Sequence, residues 1–233
     1  MVRLDKFLCD CNIGTRSQVK DWIRHGQVIV NGVPAKKPEI KINEATDQVT
    51  FRGEPCVYKK YAYYLLNKPQ GVVSATTDNT ADTVLSLLKG VKEKDLFPVG
   101  RLDKDTTGLL LITNDGELAH RMLSPRKHVD KTYLVGIKTP LSQDDISRLE
   151  TGVDIGEEQP TLPAKVQIMD EHRLLLTIHE GRFHQVKRML QAVDNEVCTL
   201  QRISFGPLQL DSSLKEGDFR ELTPQELEVL HGT

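Results

Sequence analysis

Cysteine is scarce in this chain of 233 residues: Cys9, Cys11, Cys56 and Cys198 are scattered, and none belongs to a Cys-x-x-Cys pair with a matching His or Cys pair downstream. That excludes a disulfide-stapled scaffold and a zinc site of the usual spacing. No stretch approaches the ~18 consecutive apolar residues of a membrane span, and Met1 to Lys6 lead into no apolar run of signal-peptide length, so a cytoplasmic protein is expected. Cofactor motifs are missing as well. No Gly-x-Gly-x-x-Gly opens a helix and no Gly-Lys-Ser/Thr loop could cradle phosphates, so no cofactor is expected. An excess of one charge sign is also absent, with 31 Lys and Arg against 33 Asp and Glu, a net -2 that taken alone argues against a polyanion partner.

What is present is an ordinary globular composition, 38% hydrophobic and 27% charged, on a chain long enough for one large domain or two small ones. The charge is segregated. Residues 1 to 60 hold 11 Lys and Arg against 7 Asp and Glu, leaving 20 against 26 for the rest, so the acidic balance belongs to the remainder of the chain.

Leu4, Phe7, Leu8 and Cys11 fall at i, i+3, i+4 and i+7, one apolar face of a short helix ending near Asn12 to Gly14. Thr15-Arg16-Ser17-Gln18 fits a capping box for a second helix, with Val19, Trp22 and Ile23 as its buried stripe and Gly26 as its left-handed exit. The period then changes, and Asn31-Gly32 between valines predicts a hairpin, with strands continuing to about Phe51. Arg16, Lys20 and Arg24, four apart, line one exposed face of the second helix and suit a phosphate backbone. A lone basic stripe is more often a solvated helix surface.

After residue 58 a second region begins. Residues 61–66 read as a strand broken by a turn at Asn67 to Gly71, and further strands are expected at 97–100, 108–113, 132–137, 164–169, 174–179 and 197–203. Helices are expected at 83–88, 117–123, 142–150, 184–192 and 224–230, the last capped by Thr223. Strands and helices without a regular βαβ repeat predict an α+β fold with a mixed, mainly antiparallel sheet. Between two of the strands, Arg101, Asp103, Lys104 and Asp105 crowd charges of both signs into a loop where a turn former would serve. Charge alone allows a salt-bridged surface loop, or a metal-dependent hydrolase using Asp103, Asp105 and Asp115. Asp-x-Asp without a following Gly and a Glu at EF-hand spacing argues against metal, and none is expected.

The loop sequence Gly100-Arg101-Leu102-Asp103-x-x-Thr106-x-Gly108-Leu109 resembles the catalytic motif of the RsuA/RluA-type pseudouridine synthases. Leu66-Asn67-Lys68-Pro69-x-Gly71, Lys131-Thr132-Tyr133-Leu134-Val135 and Glu180 to Met189 fit the same family in the same order. Arg3-Leu4-Asp5-Lys6-Phe7-Leu8, the Thr15 helix start and Gly26 to Gly32 resemble the S4 RNA-binding domain, so residues 1–58 are read as an S4-like module and 59–233 as the catalytic domain.

The resemblance implies isomerisation of an RNA uridine: the C1′–N1 bond breaks, the base turns, and C5 rejoins the sugar without a cofactor. It implies Asp103 as nucleophile toward C1′ or C6, or as the group assisting a glycal route. It further implies Tyr133 as the ring that stacks on the uracil and helps remove the C5 proton, and Lys187 as the cation paired with Asp103. Arg101, Arg182 and Arg188 are implied as RNA contacts, whereas Asn67, Lys68 and Gly71 are expected to shape a loop beside the site. The short catalytic domain with its acidic end, 2 Lys and Arg against 6 Asp and Glu over residues 208 to 233, resembles the small-subunit branch of the family. That branch implies uridine 516 of 16S ribosomal RNA, in a partly assembled small subunit, with a monomeric enzyme. The alternatives are a large-subunit 23S enzyme and a non-catalytic S4-type RNA-binding or ribosome-assembly protein.

Overall fold

The computed structural model describes residues 1–124 and 127–232. It divides into two compact units, Met1–Tyr61 and Ala62–Thr233, a break slightly beyond the expected 58/59.

In the first unit the helical period is realised as read. Helix Leu4–Asp10 buries Leu4, Phe7 and Leu8, while Cys11 caps its end and packs partly buried beside them. Thr15 and Gln18 form the reciprocal capping box of helix Arg16–Arg24, whose Val19 and Ile23 are fully buried. Each such aliphatic side chain contributes about 1.5–3 kcal/mol. Asn31 at φ 50° and Gly32 at φ 80° supply the two left-handed residues that a two-residue hairpin needs, joining Val28–Val30 to Val33–Pro34. Val49–Phe51 and Glu54–Pro55 complete the four-stranded sheet. The pair Val2–Arg3 and Lys41–Ile42 is too short to show in any sequence period.

The second unit is built on a nine-stranded sheet. Its path runs Lys165–Asp170, Arg173–Ile178, Lys131–Ile137, Val197–Phe205, Thr107–Thr113, Tyr63–Lys68, Phe219–Glu221, with Leu208–Gln209 and Phe97–Pro98 attached beside it. Only Val197–Phe205 and Thr107–Thr113 run parallel, so the sheet is mixed and mainly antiparallel as expected. Thr107–Thr113 is buried along its whole length because both faces are covered. Leu110 and Ile112 face a core shared with helices Gln143–Thr151 and Gln185–Gln191, and Leu109 and Leu111 face one shared with Gly116–Leu123 and Pro224–His231. Gly108, at φ 100°, sits where the two parallel strands touch: a Cβ there would lie 2.3 Å from the Arg202 carbonyl oxygen.

Three expectations are corrected. Strand Tyr63–Lys68 runs through Asn67 and Lys68, which pair with Leu109 and Gly108, so the turn starts only at Pro69. Residues 84–87 form a 3-10 turn rather than an α-helix, and the strand expected over 97–100 is confined to Phe97–Pro98. The edge strand Phe219–Glu221, short and with two of its three residues charged, was not legible in advance.

Candidate active site

Asp103 lies in the loop that enters strand Thr107–Thr113, and segments distant in sequence hold that loop from below. Ser74 Oγ donates to the Leu102 carbonyl at 2.9 Å and accepts from the Leu102 amide at 3.0 Å. Lys68, completely buried, donates Nζ–H bonds to the carbonyls of Thr106 (2.9 Å), Pro69 (3.1 Å) and Lys104 (3.4 Å). The Gly71 amide donates to the Lys104 carbonyl at 2.9 Å. Burial pushes the Lys68 amine down to about 8, with Asp105 and Asp103 opposing the shift. Lys68 and Gly71 therefore brace the loop.

The carboxylate of Asp103 meets the amine of Lys187 at 3.1 Å and the His184 imidazole at 3.6 Å. Lys187 stands on helix Gln185–Gln191, whose start is set by Gln185: its amide oxygen accepts from the Arg182 amide and its nitrogen donates to Glu180, both at 2.9 Å. Lys187 also bonds Asp105 at 2.6 Å, a sharing that motif reading alone missed. Burial lowers the Lys187 amine, but the hydrogen bonds it donates to Asp105 and Asp103 outweigh that and raise it; the bond to Asp105 lowers the Asp105 carboxyl. Asp105 is 67% exposed and Asp103 28%, so Asp103 is the carboxylate turned into the protein. The cation between the two carboxylates is Lys187.

Tyr133, buried near the start of strand Lys131–Ile137, lines a cavity of about 50 Å³ with Asp103, Arg101, Leu102, Thr106 and His184. Outside it opens a groove of about 780 Å³ that includes Arg101, Asp103, Ser74, Phe183 and His184. Arg101 is exposed and borders both spaces. Phe183, 70% exposed, stacks on His184 with ring centroids 3.8 Å apart.

Arg182 and Arg188 belong to a different device. Arg182 bonds Glu180 (2.9 Å) and the carbonyls of Gln159 (2.6 Å) and Pro160 (2.8 Å). Arg188 bonds Glu157 (2.5 Å) and the carbonyls of Phe183 (3.1 Å) and Ile155. Most of their guanidinium N–H groups are thus taken up by neighbouring carboxylates and carbonyls, although Arg182 also borders the groove and the cavity beside Asp103. Asp115, the third carboxylate of the hydrolase alternative, caps helix Gly116–Leu123 and accepts from the Leu118 amide (3.0 Å) and Tyr63 hydroxyl (2.8 Å).

In the first unit Arg16 and Arg24 are exposed and Lys20 half-buried on one helix. Arg16 lies 3.6 Å from Asp5, a buried carboxylate already held by Arg3 at 2.9 Å. Among the described residues Lys20 and Arg24 have no ion pair.

A half-buried carboxylate and its cation at the end of a central strand, next to a cavity walled by an aromatic ring, suit the handling of one planar base. Comparison with known proteins gives the class. Residues 62–192 match the RNA pseudouridylate synthase family and residues 2–49 match the S4 domain. An uncharacterized RNA pseudouridine synthase of Bacillus subtilis, YtzG, is 48% identical, covering 99% of this chain and 98% of that protein. Ribosomal small subunit pseudouridine synthase A of Vibrio cholerae is 41% identical over 97% of this chain and 98% of its own, and that of Escherichia coli is 40% identical over the same shares. A crystal structure of a pseudouridylate synthase, 40% identical, matches with a TM-score of 0.70 over 99% of this chain and all of that one. The chain belongs to the RNA pseudouridylate synthase family and carries an S4 domain ahead of its catalytic unit.

Proposed function

We propose that this enzyme isomerises a uridine of small-subunit ribosomal RNA, with Asp103 as nucleophile, Lys187 as its cationic partner and Tyr133 as the stacking ring. The observation that carries the reading is Asp103 beside the Tyr133 cavity with Lys187 at 3.1 Å. Extruding a uridine from its stack costs a few kcal/mol, and Tyr133 offers a face against which the base regains part of that. With the base seated, Asp103 reaches the reacting centre paired with the Lys187 amine in a site from which water is displaced. The C1′–N1 bond breaks, the base turns against the ring, and C5 takes its place on the sugar.

Arg101, exposed at the mouth, meets phosphate or fills the space that the base vacates. The S4 stripe of Arg16, Lys20 and Arg24 supplies further phosphate contacts, which position RNA without reading its sequence. Arg182 and Arg188 we assign to holding residues 155–160. The full-length likeness to enzymes named for the small ribosomal subunit supports that target over the large-subunit alternative, and the family's small-subunit branch points to uridine 516 of 16S ribosomal RNA, met in a partly assembled particle by a cytoplasmic monomer. Among the described residues no helix is long and apolar enough to cross a membrane. Mapping pseudouridines in total ribosomal RNA from cells with and without the gene tests this. Loss of one small-subunit pseudouridine is expected; loss of a large-subunit one instead would reassign the target, and no loss would reject the ribosomal reading.

A further inference from the structure

Arg202 is a buried cation that the motifs do not account for. It is 2% exposed, in the middle of strand Val197–Phe205, and its cross-strand partners are Tyr133 on one side and Gly108 on the other. Its Nε donates to the Leu109 carbonyl at 2.8 Å, its guanidinium lies 4.8 Å from the Phe205 ring centroid, and its Nη2 has neither a hydrogen-bond partner nor contact with solvent. Among the described residues no carboxylate pairs with it. The opposing influences on it are burial, which disfavours its charge, and Tyr133, whose phenol oxygen favours it. A leucine would fill this space with no electrostatic cost, so an unpaired buried guanidinium calls for a function.

We propose that Arg202 is a positioning residue for deprotonation at C5, holding the Tyr133 ring from behind and stabilising the phenolate that receives the proton. In that step the C5–H bond breaks and its proton passes to the Tyr133 oxygen and on to water. The C–H electron pair forms the C5=C6 bond, and the displaced C6=N1 pair goes to N1, which takes a proton from solvent. The other charged groups around Tyr133 do not replace Arg202. Asp103, across the cavity, opposes a phenolate. Arg182 is committed to Glu180 and to carbonyls, and Arg101 and His184 lie toward the opening. Lys131, on the same strand, donates to the Val129 carbonyl, and burial together with the Arg202 charge holds it down to about 8.

The inference rests on Tyr133 acting as the base, and the test separates the two. Ribosomal RNA from cells lacking the gene, labelled with uridine deuterated at C5, is treated with wild-type, Arg202→Met, Arg202→Lys and Tyr133→Phe enzyme in single turnovers across pH. Arg202→Met is expected to slow product formation by at least about 10-fold near neutrality. Its rate should recover as pH rises and its C5 isotope effect should exceed that of wild type, with RNA affinity within about 2-fold. Arg202→Lys, which keeps the cation, should fall between. Arg202→Gln, neutral yet able to donate to the Leu109 carbonyl, provides the same comparison if the Met variant does not fold. A neutral variant with the wild-type pH profile and isotope effect would overturn the proposal, leaving Arg202 as packing. Wild-type C5 release by Tyr133→Phe would instead remove Tyr133 as the base.

Discussion

The two units treat their cations in opposite ways. On the S4 helix Arg16 and Arg24 stand in solvent and Lys20 is half-covered, and among the described residues their one ion pair is Arg16 with Asp5 at 3.6 Å. In the catalytic unit, Arg101 apart, cations of the family motifs are turned inward: Lys68 onto three carbonyls, Arg182 and Arg188 onto the 155–160 segment, Lys187 onto Asp103 and Asp105. A count of charge by region therefore measures readiness for RNA in the first unit and internal wiring in the second. The overall net charge of -2 hides both.

Neutralising a cation in the catalytic unit should be the more damaging change. Lys187→Met leaves Asp103 and Asp105 facing each other without their shared cation; breaking a buried pair can cost about 3–5 kcal/mol, and with these groups partly exposed the lower end, about two orders of magnitude in rate, is expected. Lys187→Arg keeps the charge in a different shape and should retain partial activity in single-turnover assays. A Lys187→Met enzyme with the wild-type rate would make Lys187 a surface lysine and move the search for a partner to Arg101.

Arg188→Met comes next. It leaves Glu157 with only Arg182 at 3.5 Å and frees two carbonyls, a loss of about 1–3 kcal/mol of stability read from urea unfolding, with RNA affinity preserved. Lost affinity at unchanged stability would return Arg188 to the RNA-contacting set. In the first unit, replacing Arg16, Lys20 and Arg24 together by Ala should leave folding and single-turnover chemistry intact at saturating RNA, yet lower the slope of log affinity against log salt by about 2. An unchanged slope would show the stripe to be solvated surface.

A pH dependence of stability is also expected. Buried Lys68 is held down to about 8 against its ordinary 10.5, so between those values the unfolded chain keeps a proton that the folded chain has released. By linkage this group makes stability rise with pH across that window and gives nothing below it. Wild type should therefore gain stability relative to Lys68→Met between pH 8 and 10 in urea titrations, and parallel curves would contradict the burial of a charged amine.

Much of this was legible in the residues because it rests on local rules. The Thr15 capping box, the Asn31-Gly32 hairpin and the period of Leu4, Phe7 and Leu8 each depend on neighbours a few positions away, and each formed as read. The pairing of Lys187 with Asp103 came from motif order, although 84 positions separate them. What stayed hidden depends on burial. Asn67 and Lys68 look like turn residues, yet Asn67 Nδ2 donates to the Leu214 carbonyl at 2.8 Å and Lys68 finds three carbonyls, so both sit inside a strand. Arg182 and Arg188 read as an exposed basic cluster because a sequence does not reveal which carbonyls fold back over a guanidinium. Arg202 falls in the expected strand 197–203 with no motif to mark it, and only the closeness of Gly108 and Tyr133 shows that it is enclosed.

The central claim, that the loop carboxylate turned toward the Tyr133 cavity performs the chemistry, is tested most directly by tritium release from C5-labelled uridine in ribosomal RNA with Asp103→Asn. The substitution keeps size and removes charge. Release at background is expected while the melting temperature and RNA affinity stay at wild-type values; substantial release from a folded, RNA-binding Asp103→Asn enzyme would remove Asp103 from the chemistry.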